Sequence, residues 1–184
     1  MLELEDLLAQ QHKLKGFRAN FVTNSKAQFT GPNNSSRDLS NQVDFALLLN
    51  LRSLTDVIVT DAATARAENY KPSKWAPIQA WSSSGNFVGV DGGIAQRKID
   101  NLQESLKQIR ENFESVLFET GPTLTQLLGK LSEIDQLKLT VVESPGLQAA
   151  RSAAAITLDK LALNYLKESS VFTVAGTHFF TFDR

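Results

Sequence analysis

Phe118-Glu119-Thr120-Gly121-Pro122-Thr123-Leu124 sets a carboxylate, a glycine and two hydroxyls where an apolar run, Val116–Phe118, hands over to a helical repeat of Leu124, Leu127, Leu128 and Leu131. Pro122 suits the first helical position, because its missing N–H has no partner to lose there. A helix start of this kind aims free backbone N–H groups and the positive end of the helix dipole at what lies before it, which favours an anion such as phosphate. Gly121 lets that anion come close to the backbone. The same glycine and proline also serve as plain punctuation between strand and helix, and the turn alone does not decide between the two.

Other chemistry is excluded by composition. The chain has no cysteine, so disulfides, thiolate catalysis and cysteine-ligated zinc are ruled out. Its two histidines, His12 and His178, lie in no spacing that brings two imidazoles to one metal, and no metal site is expected. A formal charge of −1 provides no basic field to gather phosphates, which argues against nucleic acid as a partner. No stretch approaches the roughly 18 apolar residues of a membrane span, and Met1–Lys15 is acidic where a leader would be basic. These features point to a cytoplasmic protein without a membrane partner. With 184 residues, 42% hydrophobic and 21% charged, the chain is expected to form one domain, residues 1–184, with a full core.

The elements that must carry the turn follow from periodicity. Phe17–Thr23 alternates as a strand; Thr30–Asn41 is rich in Gly, Pro, Asn and Ser and reads as a loop. Ser40 is the expected cap of a helix with Val43, Leu47, Leu51 and Leu54 on one face. Asp56–Thr60 reads as a buried strand, a short helix opens near Ala62–Thr64, and Ile78–Trp81 is the next short strand. The glycine- and serine-rich Ser82–Gly93 reads as a loop with a short strand at Phe87–Val90. Asp100 and Gln103 make a capping-box-like start to the clearest helix, whose stripe is Ile99, Leu102, Leu106, Ile109 and Phe113. Gln136–Val142 alternates as a strand, Ala149–Ala155 reads as helix, Leu161–Lys167 is ambiguous, and Val171–Val174 with His178–Phe182 suits a hairpin around Ala175-Gly176. Strands alternating with helices predict a largely parallel sheet covered on its faces.

Three ordered blocks carry a resemblance. Leu51–Tyr70 (LRSLTDVIVTDAATARAENY) resembles a signature of the pyrimidine reductases of riboflavin biosynthesis and their dihydrofolate-reductase-like relatives. In those proteins a helix ending in Leu-Arg leads through an Asp into an apolar strand, a small-residue turn, a Thr and an Arg-x-Glu-x-Tyr segment. Phe118–Leu124 is similar to that family's Glu-Gly-Gly-Pro-x-Leu motif, and Ile134–Thr140 to its Val-Asp-Glu-Leu-x-Leu-Thr. Ser25 and the stretch Ser36–Ser40 are similar to the loop after its first strand. The resemblance spans Phe17–Val142. It implies a dihydrofolate-reductase-like three-layer αβα domain with a central, mostly parallel mixed sheet and a C-terminal antiparallel hairpin. It also implies hydride transfer from NADPH to a ring-opened or imine-like sugar carbon of a phosphoribosylamino-pyrimidine or related small molecule, by a homodimer. By the same resemblance Ser36 and Arg52 hold the substrate's phosphoribosyl part and Glu119 faces the substrate. Thr64, Glu68, Gly121, Pro122, Thr123 and Leu124 meet the dinucleotide, and Ser82 or Ser83 meets the adenosine 2′-phosphate.

The chain departs from that pattern in four places. Asn24-Ser25-Lys26-Ala27-Gln28 replaces the family's Leu-Asp-Gly loop, and Thr120 replaces the first glycine of the pair, which crowds the approach if that position needs a positive φ. Asp61 replaces a glycine, and its carboxylate opposes a polyphosphate unless it points away or caps a helix. Ser82–Phe118 looks short for the additional strand and helix that cradle the adenosine half. These are the features that a non-catalytic relative, binding another small ligand or a protein partner, would show.

Overall fold

The computed structural model describes residues 2–184. Fourteen regular elements follow one another along the chain: α1 (Leu2–Ala9), β1 (Gly16–Asn24), α2 (Gln42–Ser53), β2 (Val57–Asp61), α3 (Ala62–Ala67), β3 (Ile78–Ser82), β4 (Ala95–Lys98), α4 (Leu102–Asn112), β5 (Ser115–Phe118), α5 (Pro122–Lys130), β6 (Gln136–Val142), α6 (Leu147–Lys160), β7 (Lys167–Val174) and β8 (Thr177–Asp183). A short 3-10 turn, Ser36–Asp38, interrupts the loop after β1. The strands make one 8-stranded sheet in the order β4-β3-β2-β5-β1-β6-β8-β7. Every neighbouring pair from β4 across to β6 is parallel, while β8 runs antiparallel to both β6 and β7.

Burial on both faces explains the apolar strands. Every residue of β5 and of β6 is buried, as a parallel sheet sandwiched between helices demands. One face packs α4, α5 and α6 around Phe17, Trp81, Leu106, Ile109, Phe118, Leu128 and Ile134. Phe118 meets Phe17 edge-on at 5.1 Å and Trp81 at 6.1 Å. Such pairs add about 0.5–1.5 kcal/mol beyond the area they bury. The opposite face packs α1, α2 and α3 around Leu7, Leu47, Leu51, Ile58, Ala65, Leu117 and Phe179. Three layers result, helix, sheet, helix, and the hairpin turns on Ala175 and Gly176, both at positive φ as a tight two-residue turn requires. No helix is long and apolar enough to cross a membrane among the described residues.

Several local expectations are corrected. Asn41, not Ser40, caps α2: its side chain accepts from the N–H groups of Val43 and Asp44, and Ser40 Oγ donates to the Asp44 carboxylate instead. Asn101 caps α4, one residue after the expected Asp100. Phe87–Val90 forms no strand, because Gly89 within it and Gly85 before it take positive φ and turn the chain; the strand of this segment is β4, Ala95–Lys98. The segment Ser82–Phe118 therefore does carry an additional strand and helix, β4 and α4. Helix α1, which no periodic signal had marked, lays Leu7 into the core.

Candidate functional site

Strand order reverses around β1 and β5. From β1 the chain crosses by α2 toward β2 on one face, whereas from β5 it crosses by α5 to β6 on the other. The crevice outside the carboxyl ends of strands at such a switch is where open α/β sheets bind ligands. Here it is occupied by the turn from Glu119 to Gly121 and by the N-termini of α3 and α5.

Asp61 ties these parts together. Its Oδ1 accepts from the Thr64 N–H at 2.8 Å, which caps α3; its Oδ2 accepts from Thr64 Oγ1 at 2.8 Å and from the Gly121 N–H at 2.6 Å. Of the two alternatives open from sequence, the helix cap is the one adopted. A Cβ on Gly121 would stand 3.0 Å from Thr64 Oγ1 and 3.3 Å from Asp61 Oδ2, so the glycine is explained by the close approach of α3. Thr120 has no positive φ, and its hydroxyl shares a buried hydrogen bond of 2.8 Å with that of Thr125. The threonine is thus accommodated inward and does not crowd the turn. No side chain caps α5, so beyond Pro122 the N–H groups of Thr123 and Leu124 are left to donate to an outside acceptor.

Arg52 and Glu119 are brought to each other. The guanidinium grips the carboxylate through both Nε to Oε1 at 2.8 Å and Nη2 to Oε2 at 2.5 Å, and Tyr70 Oη donates to Oε2 at 2.7 Å. Glu119 is 5% exposed. Burial works to lower the Arg52 pKa, but the hydrogen bonds and charge of Glu119 outweigh it and raise the value. Burial, then the Glu119 charge, raise that of Tyr70. This is a matched, satisfied ion pair with its cation, anion and third donor all supplied by the chain.

Ser36 and Glu68 also meet. Glu68, buried at the end of α3, accepts from Ser36 N–H at 2.7 Å, from Ser36 Oγ at 3.0 Å and from Ser35 Oγ at 2.8 Å, and pairs with Arg37 at 3.4 Å. The loop after β1 is thereby anchored beside α3. Ser82 stays apart, at the end of β3 opposite Lys98 of β4, with its hydroxyl 3.2 Å from that of Ser84. Ser83 is exposed.

One group escaped the sequence reading. Asp44, in the first turn of α2, is 5% exposed; Ser40 Oγ donates to its Oδ2 at 2.5 Å, and its Oδ1 is buried without a partner. Burial raises its pKa, with the hydrogen bond from Ser40 pulling the other way. The available signal was an acid interrupting the apolar face of a helix at the carboxyl end of the sheet.

This order of strands, with helices on both faces and an antiparallel hairpin at one edge, is the dihydrofolate-reductase-like fold. The chain superposes on a pyrimidine reductase-like protein from Corynebacterium diphtheriae with a TM-score of 0.68 and 18% identity, over 92% of this chain and 91% of that one. Dihydrofolate reductase from Enterococcus faecalis, solved with NADP(H), matches with a TM-score of 0.65 and 12% identity, over 95% of this chain and 99% of that one. A diaminohydroxyphosphoribosylaminopyrimidine deaminase/5-amino-6-(5-phosphoribosylamino)uracil reductase from Thermotoga maritima gives a TM-score of 0.63 at 12% identity; 93% of this chain covers 57% of that larger protein. No family model and no curated protein sequence matches the chain.

Proposed function

We propose that the chain is an NADPH-dependent reductase of a phosphoribosylamino-pyrimidine or a related small molecule, similar in kind to the 5-amino-6-(5-phosphoribosylamino)uracil reductases. The observation that carries this reading is the uncapped N-terminus of α5, standing beside that of α3 at the strand-order switch, with Thr123 and Leu124 N–H groups open to a phosphate. Their backbone donors suit the pyrophosphate of a dinucleotide. Asp61 does not bar it, since its carboxylate is already neutralised in part by three donors of the turn and of α3. NADPH, when bound, supplies the hydride, and the protein's share is orientation and polarisation.

In this reading Gly121, Pro122, Thr123, Leu124 and Thr64 form the wall on the dinucleotide side, and Ser82 meets the adenosine 2′-phosphate. Arg52 and Glu119 serve differently from independent ligands. Locked together with Tyr70, they hold the turn beneath the substrate and offer it a nearly neutral surface. Ser36, anchored by Glu68, borders the phosphoribosyl end. Asp44, whose carboxyl burial pushes above the usual carboxylate range near the sheet's carboxyl edge, is the acid assigned to deliver a proton to an imine-like nitrogen as the neighbouring carbon is reduced. The protein acts as a cytoplasmic homodimer, a state that sedimentation at varied concentration measures.

Consumption of NADPH, followed by its absorbance in the presence of 5-amino-6-(5-phosphoribosylamino)uracil, tests the reading. Turnover that is lost in Gly121→Val supports it. Absence of turnover together with absence of NADPH binding overturns it.

A further inference from the structure

Across β1 from the Arg52–Glu119 pair, a cavity of about 220 Å³ lies between the end of α1 and the strands β6, β8 and β7. Its floor is polar, with Gln136 and Lys138 from β6 and Thr181 and Asp183 from β8; Leu7, Leu47, Phe172 and Phe179 give it apolar walls. It opens beside Gln10, His12 and Ser169, all exposed.

The charge balance of this floor is unusual. Lys138 is 6% exposed, and its ammonium donates one hydrogen bond, to Thr181 Oγ1 at 2.8 Å. Arg18, 3% exposed, flanks it and donates from Nε to Gln136 Oε1 at 2.7 Å and from Nη2 to the His12 carbonyl at 2.9 Å. All of these acceptors are neutral. The acid nearest in the floor, Asp183, spends its oxygens elsewhere: Oδ1 accepts from Gln136 Nε2 at 2.7 Å and Oδ2 from Ser169 Oγ at 2.5 Å. Two buried cations thus face one carboxylate, and neither forms a salt bridge among the described residues. Burial, then the Arg18 charge, push Lys138 down to about 8 against the opposing pull of Asp183, and burial brings Arg18 down to about 10. A buried ammonium without a counter-charge is costly, and a chain that keeps one at the bottom of an accessible cavity has a place for an anion.

We propose that this cavity binds a small organic anion, its carboxylate or phosphate on Lys138 and Thr181 and its apolar or aromatic body against Leu7, Leu47 and Phe172. The site is separate from the dinucleotide turn and does not depend on the reductase reading. Three probes share one ring: benzoate, phenyl phosphate and the neutral benzamide. Each is titrated into the full chain while backbone amide shifts and Tm are followed. One or both anions are expected to move the amides of Lys138, Ser170 and Thr181 and to raise Tm, with benzamide weaker by about tenfold or more. Which anion binds tighter distinguishes a carboxylate from a phosphate ligand. Lys138→Met is expected to remain folded and to weaken binding by about tenfold or more, since it removes the charged donor. Leu47→Phe keeps both cations and fills the apolar wall, and is expected to block the same probe. Unmoved amides with both anions at millimolar concentration, equal binding of benzamide, or unchanged affinity in Lys138→Met would each overturn the proposal.

Discussion

On one side of β1, Arg52 meets Glu119 in a two-pronged pair completed by Tyr70; on the other, Lys138 meets, among the described residues, only the hydroxyl of Thr181. Both cations are largely withdrawn from water on the same face of the sheet. Their pKa values move in opposite directions, Arg52 up and Lys138 down, because one has its counter-charge in hand and the other does not. The first arrangement is closed: guanidinium, carboxylate and phenol are bound to one another, and the assembly stiffens the turn that carries Gly121. The second is open, and its unbalanced charge is a standing cost to the fold. A buried pair need not add net stability, yet breaking one leaves a stranded charge, and the two sides of β1 should therefore answer mutation with opposite signs.

The largest effect is expected on the closed side. Arg52→Met leaves Glu119 buried without its cation and should destabilise by about 3–5 kcal/mol, read from denaturant midpoints. Arg52→Met combined with Glu119→Leu should recover much of that loss; a double variant no better than the single one would show that the pair contributes through packing alone. On the open side, Lys138→Met should raise stability at neutral pH by about 1–3 kcal/mol, as apolar replacement of an uncompensated buried charge does. The same variant has a pH signature. Lys138 falls from 10.5 in the unfolded chain to about 8 in the fold. Between those values the unfolded state binds more protons, so the native chain should gain stability as pH rises through that window, and Lys138→Met should lose that slope. Equal slopes for the two proteins would contradict the burial argument.

The smallest effect belongs to the turn itself. Asp61→Asn keeps an oxygen for the α3 cap but gives up the charge and one acceptor, and should cost about 1 kcal/mol. It should also tighten NADPH binding by about fivefold, because a carboxylate no longer lies near the pyrophosphate. Weaker NADPH binding in this variant would mean that Asp61 organises the site more than it repels the ligand.

Much of this fold is legible in the sequence where burial imposes a period. β1, β6, α4 and the hairpin follow from alternation or from three- and four-residue steps, because each has a face that must leave water. β4 was silent for the complementary reason: Ala95, Gln96, Arg97 and Lys98 sit at the sheet's edge, mostly exposed, and no burial constrains their pattern. The candidate site divides the same way. Asp61 as a cap could be read from its place before a helix, three residues ahead of Thr64, since capping is local. The junction of Arg52 with Glu119, 67 residues apart, could not, because no local period links a helix C-terminus to a distant strand end. The open cations Arg18 and Lys138 were hidden by alternation itself, which treats a polar residue in a strand as facing solvent. Here α1 covers that face, and α1 bore no signal of its own.

Cofactor binding at the turn carrying Gly121 is tested most directly by titration of NADPH followed by cofactor fluorescence. Wild-type protein should bind NADPH, and Gly121→Val, whose Cβ would press on Thr64 and Asp61, should lose that binding while staying folded. No binding of NADPH or NADH by the wild-type chain at millimolar concentration, or undiminished affinity in Gly121→Val, would contradict it.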